Sequence, residues 1–83
     1  MRVLYFAWVR ERVGRAEEEV IPTTPVSPVA DLADWLETRG PGYEAAFADR
    51  SRLRVAINQD QADFTDRIAA NDEIAFFPPM TGG

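Results

Sequence analysis

Near its end the chain runs Glu73-Ile74-Ala75-Phe76-Phe77, meets Pro78-Pro79, and closes on Met80-Thr81-Gly82-Gly83. β-Branched and aromatic residues favour a strand, whereas proline lacks the N–H that a ladder needs. The spacing therefore predicts a strand over 73–77 that must leave its sheet at the prolines. With a period of two, Ile74 and Phe76 share one face and Ala75 and Phe77 the other. If the first pair faces the core, Phe77 is left beside the departing tail, as satellite packing or as a contact for a partner. Fully extended, residues 78–83 reach on the order of 20 Å, and the last two carry no side chain. The chain divides into a domain, 1–77, and an extended C-terminal tail, 78–83, able to thread a narrow channel.

A terminal Gly-Gly presents one unhindered group, the α-carboxylate of Gly83. A carboxylate is a poor electrophile. Adenylation by ATP converts it to an acyl phosphate that sulfur or nitrogen can attack, giving a thiocarboxylate, a thioester or an amide. The plain alternative is a frayed end, since chain termini are commonly loose and glycine-rich. The stiff Pro-Pro and the aromatic strand ahead of it favour a working arm.

The 83 residues, 46% of them hydrophobic, suffice for one domain with a single modest core. No apolar run is long enough to span a bilayer, and residues 3–9 have a strand pattern rather than that of a signal sequence, so a soluble, cytoplasmic protein is expected. A net charge of −5 argues against nucleic acid or an anionic membrane as partner and favours a protein with a basic docking face, the plain alternative being a merely soluble acidic surface. Cysteine, histidine and lysine are all missing, and every one of the nine basic residues is arginine. The usual nucleophiles, the neutral-pH acid/base and the common metal ligands are thus lacking. Such a chain is a poor enzyme on its own and binds no metal, and it has no lysine side chain to attack its own activated end.

Residues Val3 to Val9 form a nearly continuous apolar run, which predicts a central strand buried on both faces. Arg10 to Arg15 then make a turn or one helical turn, with Gly14 suited to a positive φ. Glu17 to Ile21 returns as an exposed strand, its three glutamates either solvated or a docking patch. Pro22, Pro25 and Pro28 punctuate a loop before the clearest helix, for which Ser27 is the expected N-cap and Pro28 the first helical residue. Val29, Leu32, Ala33 and Leu36 form one stripe facing the sheet, and Trp35 sits at its edge. Gly40-Pro41-Gly42 stops this helix, and Tyr43 and Phe47 mark a short second one. Leu53 to Ile57 is strand-like, followed by the polar turn Asn58–Gln61 and a weak return through Asp63 and Phe64. A tight turn at Ala70-Asn71-Asp72 uses the tolerance of asparagine for left-handed backbone. The sum is an α+β fold, one mixed sheet packed on one main helix with a short second helix.

The segments Val3-Leu4-Tyr5-Phe6-Ala7, with Val9-Arg10-Glu11 and Gly14 after it, Val55-Ala56-Ile57-Asn58-Gln59 and, above all, Asp72 to Gly83 carry a resemblance to the ubiquitin-like β-grasp sulfur carriers. Within these the chain is most similar to the small subunits of molybdopterin synthase. The resemblance implies that Gly83 is adenylated by a ubiquitin-activating-type enzyme that consumes ATP, and then becomes a thiocarboxylate with Gly82 beside it. It implies that Phe77 is an interface aromatic, and that Pro78, Pro79, Met80 and Thr81 thread into a large synthase subunit carrying the catalytic residues, a lysine among them, in a heterotetramer. The sulfur would pass to cyclic pyranopterin monophosphate, building the dithiolene that later holds molybdenum; the chain itself would bind no cofactor. Sulfur carriers for thiamine thiazole or cysteine synthesis, and ubiquitin-like protein modifiers, share the Gly-Gly end.

Overall fold

The computed structural model describes residues 1–79. Its elements are β1 (Arg2–Tyr5), α1 (Ala7–Val13), β2 (Glu17–Glu19), α2 (Val29–Glu37), α3 (Pro41–Phe47), one 3-10 turn (Arg50–Arg52), β3 (Arg54–Ile57), β4 (Asp60–Ala62) and β5 (Glu73–Phe77). The strands form one mixed sheet in the order β2-β1-β5-β3-β4. The closing strand therefore lies at the centre, parallel to β1 and antiparallel to β3. The α+β class expected from the sequence is the one found.

One face of the sheet carries the core. Val3 and Tyr5 of β1, Val55 of β3 and Ile74 and Phe76 of β5 are buried together with Val9 of α1, Val29, Leu32, Ala33 and Leu36 of α2, and Ala46 and Phe47 of α3. Phe47 meets Phe76 edge-on with ring centroids 4.9 Å apart. Each larger side chain so buried is worth roughly 1.5–3 kcal/mol. The stripe on α2 is the predicted one.

Three local expectations are corrected. The apolar run over 3–9 is not one strand: β1 stops at Tyr5, and the chain turns through Ala7, at φ 52°, into α1. There the Phe6 carbonyl accepts from the N–H groups of Val9 and Arg10, and Gly14 ends the helix at φ 89° with its N–H on the Arg10 carbonyl, 2.8 Å away. A short unbroken apolar run suits a buried strand and a buried helical turn equally well. Next, Ser27 does not cap α2. The first helical N–H groups, of Val29 and Ala30, are satisfied by the carbonyls of Asp66 and Phe64, leaving the Ser27 hydroxyl to accept the Ile68 N–H at 3.1 Å. Last, the hairpin returns at once. Asn58 and Gln59, both left-handed, make a two-residue turn into β4, and among the described residues Asn71 is not left-handed. Phe64, expected on the return strand, stacks on Phe76 instead.

Two of these turns are tied to the central strand. The side-chain Oδ1 of Asn58 accepts the Glu73 N–H, and its Nδ2 donates to the Asp72 carboxylate, both at 3.0 Å. Gly40, at φ 145°, separates α2 from α3, and Pro41 begins α3. Gly42 lets α3 approach the end of α1, because a Cβ there would lie 2.3 Å from the Arg12 carbonyl oxygen.

Candidate functional site: the open sheet face and the root of the tail

On β5 the predicted parity holds. Ile74 and Phe76 are fully buried, whereas Ala75 and Phe77 are half-buried on the opposite face. Ala75 lies between its ladder partners Leu4 of β1 and Ala56 of β3, so three small or aliphatic side chains cross the middle of the open face. Phe77 is opposite Arg54. Phe6, 46% exposed, overhangs the same end. Leu4, Phe6, Ala56, Ala75, Phe77 and Pro78, with Gln59 and Glu73 at the margin, line an open apolar depression of about 610 Å³.

Of the residues predicted for the site, the structure thus brings Phe77 and Pro78 together on one apolar surface, with Pro79 half-buried after them. Met80, Thr81, Gly82 and Gly83 lie outside the described residues. Phe6, Leu4 and Ala56 lie in segments that carry the family resemblance, but the sequence alone assigns them no place in the site. The parity of β5 identifies Ala75, but its neighbours follow only once strand order and register are known.

The three consecutive glutamates of β2 have different surroundings. Glu17 faces Arg2 and Glu19 faces the Met1 amino group, both at the surface. The side chain of Glu18 is only 5% exposed and turns inward. It accepts hydrogen bonds from the hydroxyls of Tyr43 at 2.6 Å and Tyr5 at 2.9 Å, and from Arg39 at 2.9 Å. Burial pushes its carboxyl up, but the bonds from Tyr43, Tyr5 and Arg39 outweigh that and hold it below the usual carboxylate range. Burial, then the bond to Glu18, pushes both tyrosine hydroxyls up, that of Tyr5 furthest. Arg39 also stacks over Trp35 and Tyr43, 5.3 and 5.0 Å from the ring centres. This network joins β1, β2, α2 and α3, and its groups are occupied with one another.

Among the described residues no group of three or more histidine, cysteine or carboxylate side chains could hold a metal, and no helix is long and apolar enough to cross a membrane. A second apolar hollow, about 460 Å³, lies between the 20–27 loop and Ile68, and no acidic or basic side chain lines it. The open face by β5 offers shape and apolar area for a partner, with Pro78 at its margin.

Residues 3–83 match the sequence profile of the ThiS family. Over 83 residues the chain is 37% identical to the molybdopterin synthase sulfur carrier subunit of Escherichia coli (strain K12), covering 100% of this chain and 99% of that protein. Among solved structures it is similar to a putative molybdopterin converting factor, subunit 1, from Pyrococcus furiosus, with a TM-score of 0.75 and 25% identity over 95% of each chain. It is also similar to the small archaeal modifier protein 1 of H. volcanii, with a TM-score of 0.65 and 26% identity over 96% of this chain and 97% of that one.

Proposed function

The chain belongs to the ThiS family, and on that footing we propose that it is the sulfur carrier subunit of a molybdopterin synthase. Gly83 is the reactive end. Its carboxylate attacks the α-phosphorus of ATP on a ubiquitin-activating-type enzyme, pyrophosphate leaves, and sulfur delivered at the sulfide level by a donor adds to the acyl carbon and displaces AMP to give the thiocarboxylate. The carrier binds no cofactor of its own. The tail, 78–83, then enters the large synthase subunit, whose side chains complete the site, and the sulfur passes to cyclic pyranopterin monophosphate. A cytoplasmic heterotetramer with the large subunit is the assembly we infer.

The observation that carries this reading is the match through residue 83, Gly-Gly included, joined to a central strand whose apolar open face borders the tail's root. Phe77 and Pro78 on that face suit a large-subunit contact. The absence of lysine and histidine suits a chain whose chemistry is completed by others. The test is intact mass after incubation with ATP, a sulfur donor and the activating enzyme, beside a chain lacking Gly83. The expected result is replacement of one oxygen by sulfur in the full-length chain alone. No mass change, with the enzyme shown to load its own carrier, counts against that pairing; loss of Gly83 without loss of sulfur transfer would remove the central claim.

A second reading, a protein modifier ending in isopeptide bonds to lysines of other proteins, is favoured by the likeness to the archaeal modifier. It predicts a ladder of conjugates in cell extracts that disappears when Gly82 and Gly83 are deleted.

A further inference from the structure

Three of the nine arginines, Arg2, Arg39 and Arg50, are paired with carboxylates. The other six meet no carboxylate at ion-pair distance among the described residues, and Arg12, Arg52 and Arg54 among them lie toward one end of the sheet. The guanidinium of Arg12, on α1, lies 4.6 Å from the centre of the Trp8 ring, and that of Arg52, from the 3-10 turn, lies 5.2 Å from the same centre. Two cations share one half-buried indole, with no anion between them. Arg54 follows at the start of β3, exposed, on the face opposite the core and across the ladder from Phe77.

The topology gathers these residues at one end of the sheet. α1 begins directly after β1, where Tyr5 pairs with Phe76 and the Phe6 N–H bonds the Phe76 carbonyl, so Trp8 and Arg12 stand by the last residues of β5. β3 runs antiparallel to β5, so its first residues stand there too. The opposite end carries Asp72, Glu73, Glu19 and Asp60. In a chain of net charge −5, Arg12, Arg52 and Arg54 thus stand toward the tail end, with Glu11 and Glu17 also on that side, while the far end carries four carboxylates and Arg2. An acidic surface would be repelled by most of this protein and attracted at the end from which the tail leaves.

We propose that Trp8, Arg12 and Arg52 form a carboxylate-binding clamp, flanked by Arg54 on the open sheet face, that docks an acidic segment of the protein receiving the tail. Arginine forks match carboxylates in geometry, and Trp and Arg are over-represented among residues that dominate interfaces. The clamp fixes orientation: with it engaged, the apolar face around Phe77 and the root of the tail meet the same partner. The identity of that partner rests on the sulfur-carrier reading, but the clamp itself does not require it.

Trp8 makes the test direct. The chain has two tryptophans, so Trp35→Phe leaves Trp8 as the sole indole reporter. In that background a short Asp/Glu-rich peptide, inorganic phosphate, a single-stranded oligonucleotide and a basic peptide are each titrated while Trp8 emission is followed. The expected result is a saturable response to the acidic peptide that weakens as salt rises from about 0.05 to 0.3 M. In Arg12→Gln/Arg52→Gln it should be weaker by roughly tenfold or more, consistent with loss of two charged contacts. Arg12 also donates to the Ala45 carbonyl, so Arg52→Gln and Arg54→Gln are measured singly as variants that keep that bond. No saturable response to the acidic peptide overturns the clamp, as does an undiminished response in all the variants. A tighter response to the oligonucleotide or to phosphate overturns the assignment to a carboxylate partner. The mass measurement at Gly83 is independent: a chain that binds the peptide but takes up no sulfur leaves the clamp standing and removes the carrier reading, and the converse result does the reverse.

Discussion

Replacing the three glutamates of β2 one at a time separates an inward carboxylate from two outward ones. Tyr5 is 1% exposed, and its hydroxyl donates to Glu18. Glu18→Ala strands that hydroxyl in the core, at a cost of about 1–3 kcal/mol. Tyr43 and Arg39 lose the same acceptor but reach water, so their loss adds only about 1 kcal/mol. A total of roughly 2–4 kcal/mol is a large share of the 5–15 typical of a whole domain, and at about 4–8 °C per kcal/mol it lowers the melting temperature by roughly 10–30 °C. Glu17→Ala and Glu19→Ala remove exposed pairs and change stability by no more than about 1 kcal/mol. Thermal and urea unfolding of the three variants decide the matter: a Glu18→Ala chain as stable as Glu17→Ala refutes the assignment. Titration supplies a second check. The folded carboxyl of Glu18 lies below its unfolded value near 4.3, so its contribution is present above that pH and is lost as pH falls through the folded value. The stability gap between the parent chain and Glu18→Gln should be widest above about pH 5 and close in acid.

Other substitutions probe the packing, the turns and the open face. Gly42→Ala puts a methyl group 2.3 Å from the Arg12 carbonyl oxygen, an approach that only backbone movement relieves, and unfolding should show a loss of about 1–3 kcal/mol. Ser27→Ala should cost about 1 kcal/mol through the Ile68 N–H rather than through the start of α2; faster amide exchange at Ile68, with Val29 and Ala30 unchanged, is the signature, and faster exchange at Val29 and Ala30 instead would restore the cap. Phe77→Ala should leave the fold intact, being on the face away from the core, yet weaken binding to the large subunit by more than about 1 kcal/mol in calorimetry. An affinity equal to the parent's would relieve Phe77 of an interface role.

The parts of the fold legible in the sequence are those with a clear period. Val29, Leu32, Ala33 and Leu36 mark α2 by spacing alone, and alternation from Ile74 to Phe77 sorts that strand into a core face and an outer face. The missed features share a different origin. The run from Val3 to Val9 is apolar throughout, so no period distinguishes its strand half from its helical half. In Glu17-Glu18-Glu19 three identical side chains hide one inward position, because the partners that draw Glu18 inward, Tyr5, Tyr43 and Arg39, come from three other segments. Ser27 has the right type and place for a cap but is displaced by two carbonyls from a distant turn. The clamp is equally silent in sequence, since Arg12 and Arg52 lie forty residues apart and meet only through Trp8.

Placing the closing strand in the middle of the sheet holds the residues that lead to the C-terminal segment firmly in the domain. β5 is held on both sides, by the parallel ladder from Arg2–Glu73 to Tyr5–Phe76 and the antiparallel ladder from Arg54–Phe77 to Ile57–Ile74. Phe76, fully buried against Phe47 and Phe64, pins its last turn of the pleat to the core. A pull along the tail is therefore borne by two ladders in shear and by a core aromatic, rather than by an edge that could peel. The next residue, Phe77, points the other way by the parity of the strand, so one step along the backbone separates the side chain that anchors the core from one on the open face. A one-residue slip of β5 would exchange the two, exposing Ile74 and Phe76 and burying Ala75 and Phe77. The ties from Asn58 to Asp72 and Glu73 guard against that slip at the far end of the strand, which is why a polar hairpin turn remote from the tail bears on how the tail is presented.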